Sequence, residues 1–124
     1  MSDDNGFRQY VGLDAEPVRD GIARVVLTAE DHHLNAGGAV HGGALATMLD
    51  AAMGTAVSST TEDGSRPVTV AMTVTYLEQA KPGRLVATAR VRKQGKRLTI
   101  VEGEVEQDGT VVADAIATFA TMKS

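Results

Sequence analysis

Hydrophobic residues recur with two different periods along the chain, and this change of period predicts the order of its elements. From about residue 43 to residue 59 the apolar positions follow the turn of an α-helix. Six of them share one stripe: Leu45, Met48, Leu49, Ala52, Met53 and Ala56. After Pro67 the segment VTVAMTVTY (68–76) alternates apolar and polar residues, as a half-buried β-strand does. This alternation predicts that Thr69 and Tyr76 lie on opposite faces of the strand.

Further strands are predicted on both sides of this region. A β-branched run at residues 21–29 precedes the helix, and three more runs follow at residues 84–93, 98–107 and 110–122. Short turns join them: KPG (81–83), QGKR (94–97) and DG (108–109). Residues 1–20 show no clear period and are predicted as a lead-in or a short helix. The sequence therefore predicts one α+β domain over residues 1–124, an antiparallel sheet wrapped around one long central helix.

The side of the helix opposite its apolar stripe carries small residues and almost no charge. Gly43, Thr47, Asp50 and Gly54 gather there, and Asp50 is the only formally charged side chain from residue 34 to residue 61. About six charges are expected in that length at the chain's average density. Such a surface is poorly suited to bulk water, so we expect a second subunit or a ligand to cover it.

The overall composition argues against several classes of partner. A net charge of −4 and an aromatic content of 3% disfavour nucleic-acid binding. No apolar stretch reaches the roughly 20 residues that span a bilayer, so no membrane partner is expected. The first ten residues carry acids where a signal peptide needs basic residues, and the chain has no cysteine. These features predict a cytoplasmic protein.

Two features of the helix meet the needs of acyl transfer. The backbone N–H groups of Gly42 and Gly43 lie at its amino end, where free donors and the helix dipole attract negative charge. Such a donor stabilises the oxyanion that develops on a carbonyl, and Gly43 lets a substrate approach the backbone closely. Asp50, two turns further along, is suited to activate water or to attack directly.

Each of these residues also has an ordinary structural interpretation. A glycine-rich entry to a helix is often plain turn chemistry. His41 is typical of a helix cap, Asn35 of a turn, and Asp50 of an ion pair at an interface. His32 and His33 are predicted to be exposed, and with His41 they lack the spacing of metal ligands. We therefore assign neither a metal nor a cofactor.

Taken together, these residues resemble the motif of a known family. Asn35, HGG (41–43) and Asp50 resemble the active-site motif of hot-dog-fold acyl-CoA thioesterases of the phenylacetate-degradation type, related to 4-hydroxybenzoyl-CoA thioesterase. The resemblance covers roughly residues 20–120 and includes three further segments: VTVAMTVTYLEQAKPG (68–83), ARVRKQGK (89–96) and DGTVVADAIATF (108–119).

The resemblance implies a role for each matching residue. Asp50 corresponds to the catalytic carboxylate, which acts on the thioester as general base or nucleophile. The Gly42 N–H corresponds to the donor that polarises the thioester carbonyl. Asn35 and His41 correspond to residues that position this carbonyl and the attacking water, and Thr69 to a hydroxyl that orients the water. The family assembles this site between two subunits, so a homodimer or homotetramer is expected.

Basic residues are concentrated in one part of this acidic chain. Seven of its twelve basic residues lie between Glu78 and Glu102, where no acid occurs: Lys81, Arg84, Arg90, Arg92, Lys93, Lys96 and Arg97. A basic local field suits a polyphosphate ligand such as coenzyme A.

Pairing between strands is an equally good explanation for part of this cluster. Arg90 and Arg92 precede a hairpin whose return strand carries three glutamates, which could neutralise them. Lys93, Lys96 and Arg97 lie closer to the turn and are less well explained in this way. These three are the predicted contacts of the coenzyme A phosphates, with Gly43 as a further substrate contact.

The leading hypothesis is hydrolysis of an aryl- or medium-chain acyl-CoA to the free acid and coenzyme A. A hot-dog hydratase or dehydratase acting on acyl thioesters is a second hypothesis. It requires a differently placed histidine and carboxylate, whereas Asp50 lies nine residues after His41. A non-catalytic sensor of acyl-CoA is a third, for which residues 1–20 are too short and too acidic to supply a DNA-binding segment.

Overall fold

The computed structural model describes residues 6–16, 19–61 and 65–122. Two α-helices, one 3₁₀ turn and six strands follow one another along the chain: α1 (Gly6–Val11), β1 (Asp14–Ala15), β2 (Ile22–Ala29), the 3₁₀ turn (Asp31–His33), α2 (Gly42–Ser58), β3 (Arg66–Tyr76), β4 (Gly83–Gln94), β5 (Leu98–Gln107) and β6 (Thr110–Met122).

The six strands form one antiparallel sheet in the order β1-β2-β4-β5-β6-β3. All of them except the two-residue β1 make extensive contacts with α2, so the sheet curves around this helix. The connection from β5 to β6 shows how the sequence directs this pairing. Asp108 and Gly109 both have positive φ, at 51° and 83°, which is the backbone of a tight two-residue hairpin. The predicted sheet wrapped around one helix is confirmed.

The apolar stripe of α2 fills the concave side of the sheet. All six of its residues are buried, as the helical spacing predicts. Gly103 of β5 leaves room for Leu49 and Met53, whose side-chain carbons lie 3.3–3.4 Å from the position of a Cβ. Gly54 departs from the prediction, because it is buried and a Cβ there would lie 3.5 Å from the Phe119 ring. The side of the helix that carries small residues and is not covered by the sheet therefore ends before Gly54.

Residues 1–20, predicted as a lead-in or a short helix, contain a short helix and also a two-residue strand. Residues 1–5, 17 and 18 of this segment lie outside the described residues, but α1 and β1 are both present. His33 anchors α1, because its Nε2 donates to the Val11 carbonyl at 2.6 Å while its Nδ1 accepts from the Glu30 N–H at 2.9 Å. The prediction that His33 is exposed is thus wrong. Its ring is needed to satisfy two backbone groups, and it is only 6% exposed.

A β-bulge in β3 changes which side chains face the helix. Thr69 pairs with Phe119 and Ala71 with Thr118, so Val70 is an extra residue without a partner. Before the bulge the odd-numbered residues of β3 face α2, and after the bulge its even-numbered residues face α2. The alternation predicted across residues 68–76 is therefore wrong at this point, since Thr69 and Tyr76 both point toward the helix.

The strand β3 lies at the edge of the sheet and pairs only with β6 among the described strands. None of its eleven residues is buried in the single chain, and Val70 is 59% exposed. Such a long edge strand with exposed apolar side chains is a template for pairing with another chain. In the described ranges, no helix has the length and apolarity to cross a membrane.

Candidate active site

A tight turn brings the chain to the amino end of α2. The Asn35 Oδ1 accepts hydrogen bonds from the N–H groups of Gly37, at 2.9 Å, and Ala39, at 3.1 Å. The ordinary interpretation of Asn35 as a turn residue is therefore correct for its side-chain oxygen. Its amide nitrogen makes no hydrogen bond to the described residues, so it can still donate to a ligand.

His41 is the N-cap of α2. Its backbone is extended, with ψ of 136°, and its Nδ1 accepts from the Gly43 N–H at 2.8 Å. Because Nδ1 is an acceptor, the neutral ring carries its proton on Nε2 and presents a donor rather than a base. The capping interpretation of His41 is correct, and the remaining donor is compatible with the predicted positioning of a carbonyl.

The two glycine N–H groups at the start of α2 differ in whether they already make a hydrogen bond. The Gly43 N–H is used by His41, so a substrate would contact Gly43 through its exposed Cα. The Gly42 N–H has no hydrogen-bond partner among the described residues. As the first residue of the helix, Gly42 also lacks an acceptor within the helix itself. Of the two glycine N–H groups, that of Gly42 is therefore the one available to a ligand.

Tyr76 packs against Gly42 from the end of β3. Its hydroxyl donates to the Gly42 carbonyl at 2.9 Å, and a Cβ at position 42 would lie 3.2–3.3 Å from the ring. Glycine is needed here for this close approach. Tyr76 is not among the site residues predicted from the sequence, although its position at the end of an apolar period is a signal that it faces the helix.

Asp50 is half-buried in the middle of α2, next to the bulge of β3. Its Oδ1 accepts from the Thr69 Oγ1 at 2.6 Å. No cation pairs with Asp50 in the described part of the chain, so the alternative of an ion pair has no support within one subunit. The second carboxylate oxygen has no hydrogen-bond partner there and is available to a substrate or water.

The donor and the carboxylate are too far apart to act together within one chain. Gly42 and Asp50 are eight residues apart on a continuous helix, or about 12 Å along its axis. A carbonyl held at about 3 Å by the Gly42 N–H leaves its carbon far from the Asp50 of the same chain. A single chain thus provides two half-sites, one at each position.

The basic residues between Glu78 and Glu102 include some that pair with an acid on the neighbouring strand and some that do not. Arg90 and Arg92 both pair with Glu102, with Nη2 and Nε at 3.7 and 3.1 Å from its carboxylate oxygens. Pairing between strands therefore accounts for these two arginines. Lys96 and Arg97 are exposed and form no salt bridge with the described residues.

The turn between β4 and β5 lies at the same end of the sheet as Thr69. The Thr121 N–H donates to the Arg97 carbonyl, and Thr121 in turn pairs with Pro67 at the beginning of β3. This contact also places Arg66, which is not among the residues predicted from the sequence, near Lys93, Lys96 and Arg97, the three residues that we call the basic turn. The basic turn thus lies close to the beginning of β3, the strand that carries Thr69.

A pocket of about 390 Å³ opens beside the amino end of α2. Its polar side includes His41 and Thr47, and the Thr47 hydroxyl donates back to the Gly43 carbonyl at 2.8 Å. Apolar side chains from α1 and the preceding loop form the other wall: Phe7, Tyr10, Val11 and Leu34. The pocket is also lined by Gly43, the residue that follows Gly42.

The comparisons identify the family. A family model described as the Thioesterase superfamily matches residues 37–113, which include Gly42, Asp50 and Thr69. The chain therefore belongs to the Thioesterase superfamily.

Its relatives include proteins named as acyl-coenzyme A thioesterases. The chain is 39% identical to human acyl-coenzyme A thioesterase 13 over 85 residues, or 68% of this chain and 60% of the human protein. It spans less than two thirds of that protein's length. It is 32% identical to the acyl-coenzyme A thioesterase PaaI of Escherichia coli over 114 residues, which cover 90% of this chain and 79% of PaaI.

Solved structures show the same hot-dog fold. The TM-score is 0.93 against a conserved protein of Pseudomonas aeruginosa, at 36% identity and with 96% of this chain and 95% of that chain covered. Against the Escherichia coli PaaI protein from the phenylacetic acid degradation operon it is 0.90, at 28% identity and with 98% and 87% covered. The predicted hot-dog class is confirmed.

Proposed function

We propose that the protein hydrolyses acyl-CoA thioesters to the free acid and coenzyme A. The observation that carries the proposal is a pair of groups on α2 that keep free hydrogen-bonding capacity among the described residues. They are the Gly42 N–H and the Asp50 carboxylate, one oxygen of which accepts from Thr69. The names of the human and Escherichia coli relatives support this choice of reaction. The catalytic unit is the single domain predicted over residues 1–124.

In the proposed reaction, the Gly42 N–H donates to the thioester carbonyl and stabilises the oxyanion that forms on it. Asp50 either removes a proton from the attacking water or attacks the carbonyl carbon itself. In both routes the C–S bond breaks and coenzyme A leaves as its thiol after protonation. When water attacks directly, its oxygen becomes part of the new carboxylate. When Asp50 attacks, water then hydrolyses the mixed anhydride between Asp50 and the acyl group, which releases the acid and restores the Asp50 carboxylate. The donor on His41 Nε2 and the free amide of Asn35 help to position the carbonyl and the water.

Two copies of the chain are needed for this reaction. The separation of about 12 Å between Gly42 and Asp50 is closed when a second α2 runs antiparallel to the first, because each Gly42 then faces the partner's carboxylate. The unpaired edge of β3 supports such an assembly, since two edge strands joined around a two-fold axis extend one continuous sheet. We therefore propose a homodimer, alone or as half of a homotetramer.

Light scattering at micromolar concentration tests this assembly. We expect a particle of at least twice the chain mass of 12.9 kDa. A monomer with full hydrolytic activity would contradict the shared site.

Thr69→Val should slow turnover, because the variant keeps the β-branched shape but loses the hydroxyl that orients Asp50. We expect a decrease in kcat of about tenfold with little change in KM, since orientation acts mainly in the transition state. Thr69→Ser retains the hydroxyl and should stay close to the wild type. Equal activity of the valine and serine variants would remove Thr69 from the mechanism.

We propose that the basic turn binds the phosphates of coenzyme A through Lys93, Lys96 and Arg97. Lys96→Glu combined with Arg97→Glu should raise KM for acyl-CoA, more strongly at low salt, and leave kcat unchanged. Lys81→Glu with Arg84→Glu has the same change in net charge at another turn and should have little effect. An acyl-pantetheine substrate, which lacks the nucleotide, should not distinguish the variants. Equal losses on both substrates would contradict a phosphate contact.

The acyl group is proposed to occupy the pocket beside His41, whose aromatic and aliphatic wall suits an aryl or a medium-length alkyl chain. We place the reaction in the cytoplasm, because the chain has no cysteine to pair in an oxidising compartment.

Release of free thiol from a panel of aryl and aliphatic acyl-CoAs tests the function. Hydrolysis of at least one of them is the expected result. Conversion of crotonyl-CoA to its hydration product without thiol release would favour the hydratase, and binding without turnover would favour the sensor.

A further inference from the structure

The peptide unit between Gly42 and Gly43 is held at both of its polar atoms. Its carbonyl, which belongs to Gly42, accepts from the Tyr76 hydroxyl at 2.9 Å. Its N–H, which belongs to Gly43, donates to His41 Nδ1 at 2.8 Å. The two contacts approach from different parts of the chain, one from the end of β3 and the other from the cap of α2.

Such a double restraint matters most at a glycine. Without a Cβ, Gly42 has more backbone freedom than any other residue type, and it lies at the end of a helix, where the chain frays most readily. Its own N–H has no partner among the described residues to fix its direction. Holding the peptide that follows limits rotation about Gly42 and so limits the directions in which the Gly42 N–H points.

The Tyr76 hydroxyl is not required to satisfy the carbonyl that it contacts. The Gly42 carbonyl lies in the first turn of α2, where the helix itself provides a donor four residues later. A contact that is dispensable for hydrogen-bond satisfaction but located at the catalytic donor is better explained by orientation than by stability.

We propose that Tyr76 is a positioning residue that aims the Gly42 N–H at the thioester carbonyl through its hydrogen bond to the Gly42 carbonyl. The inference rests on the proposed function for its catalytic consequence. Tyr76 does not touch the reacting atoms. It acts through the backbone of Gly42, together with His41 on the other side of the same peptide.

Tyr76→Phe tests the proposal, because it keeps the ring against Gly42 and removes only the hydroxyl. We expect kcat to fall about tenfold, a fraction of the loss that follows removal of an oxyanion donor, with KM within twofold of the wild type. Thr75→Val is the matched control, since it removes a hydroxyl from the adjacent position on the opposite face of β3. It should retain the wild-type kcat.

The backbone amide signals of Gly42 and Gly43 provide a readout that is independent of turnover. In nuclear magnetic resonance spectra of the free protein, Tyr76→Phe should shift both signals and speed hydrogen exchange at Gly43, whose N–H donates to His41, while Thr75→Val should not. Equal melting temperatures would show that the fold is intact. Unchanged kcat, a loss that only follows the folded fraction, or unchanged glycine signals would each overturn the proposal.

The outcomes also separate this inference from the proposed function. If the wild type hydrolyses none of the acyl-CoAs, the proposed function fails, whereas the positioning of Gly42 by Tyr76 is still decided by the glycine signals. If the wild type is active and Tyr76→Phe is equally active, the function stands and the role of Tyr76 falls.

Discussion

Asp50→Asn is expected to lower kcat for acyl-CoA hydrolysis by about 10²-fold or more. The amide has the shape of the carboxylate but can neither accept a proton from water nor attack the thioester. The fold should survive, because the single hydrogen bond described for Asp50 comes from Thr69, and an amide oxygen also accepts it. Substrate binding should persist, since the Gly42 donor and the basic turn are unchanged.

The rate of Asp50→Asn can be compared with that of the wild type only if both proteins are folded to the same extent. Thermal melting, oligomer size and thiol release should be measured on the same preparation. Asp114→Asn, which makes the same chemical change at an exposed position on β6, is the matched control and should keep the wild-type rate. A well-folded Asp50→Asn oligomer that hydrolyses acyl-CoA at the wild-type rate would exclude Asp50 as the catalytic carboxylate.

Gly42→Pro is expected to reduce kcat by about 10²-fold, because it removes the one N–H assigned to the oxyanion. The backbone at this position is suited to proline. Position 42 is the first of the helix, where proline is often found, and His41 before it is extended with ψ of 136°. The substitution therefore deletes the donor while the helix can still form.

Gly42→Ala is the matched control for this change. Alanine places the same Cβ at 3.2–3.3 Å from the Tyr76 ring but keeps the N–H. The ratio of the alanine and proline rates then isolates the hydrogen-bond donor from the steric effect. If the two variants have equal kcat, the Gly42 N–H is not the oxyanion donor.

Local patterns in the sequence were sufficient to predict most of the fold. The helix predicted over residues 43–59 spans Gly42–Ser58, and the last two strands have the predicted bounds, 98–107 and 110–122. These elements are predictable because one stripe of α2 is buried throughout and because turns such as Asp108–Gly109 leave few alternatives.

The errors occur where contacts between distant residues override the local pattern. The bulge at Val70 arises from pairing with β6, so alternation along β3 alone does not reveal it. His33 is buried because α1 covers it, and α1 lies in a segment without a clear period. Burial of Gly54 likewise depends on the position of the Phe119 ring, 65 residues further along the chain.

The candidate site was predictable in part. The resemblance identifies Gly42, Asp50 and Thr69, and the structure adds the hydrogen bond that joins the last two. Which glycine N–H is available depends on the side-chain orientation of His41, and the contact of Tyr76 with Gly42 spans 34 residues. Neither relation has a signature in composition or spacing.

The central claim is that one Gly42 N–H and one Asp50 carboxylate, from two copies of the chain, form each site. Co-expression of Asp50→Asn and Gly42→Pro chains with different tags, followed by two affinity steps, isolates the mixed dimer. One of its two sites combines an intact Gly42 with an intact Asp50, and the other lacks both. We predict that each variant alone is nearly inactive and that the mixed dimer hydrolyses acyl-CoA at about half the wild-type rate per dimer. A purified mixed dimer as inactive as its parents, beside an active wild type, would contradict the claim.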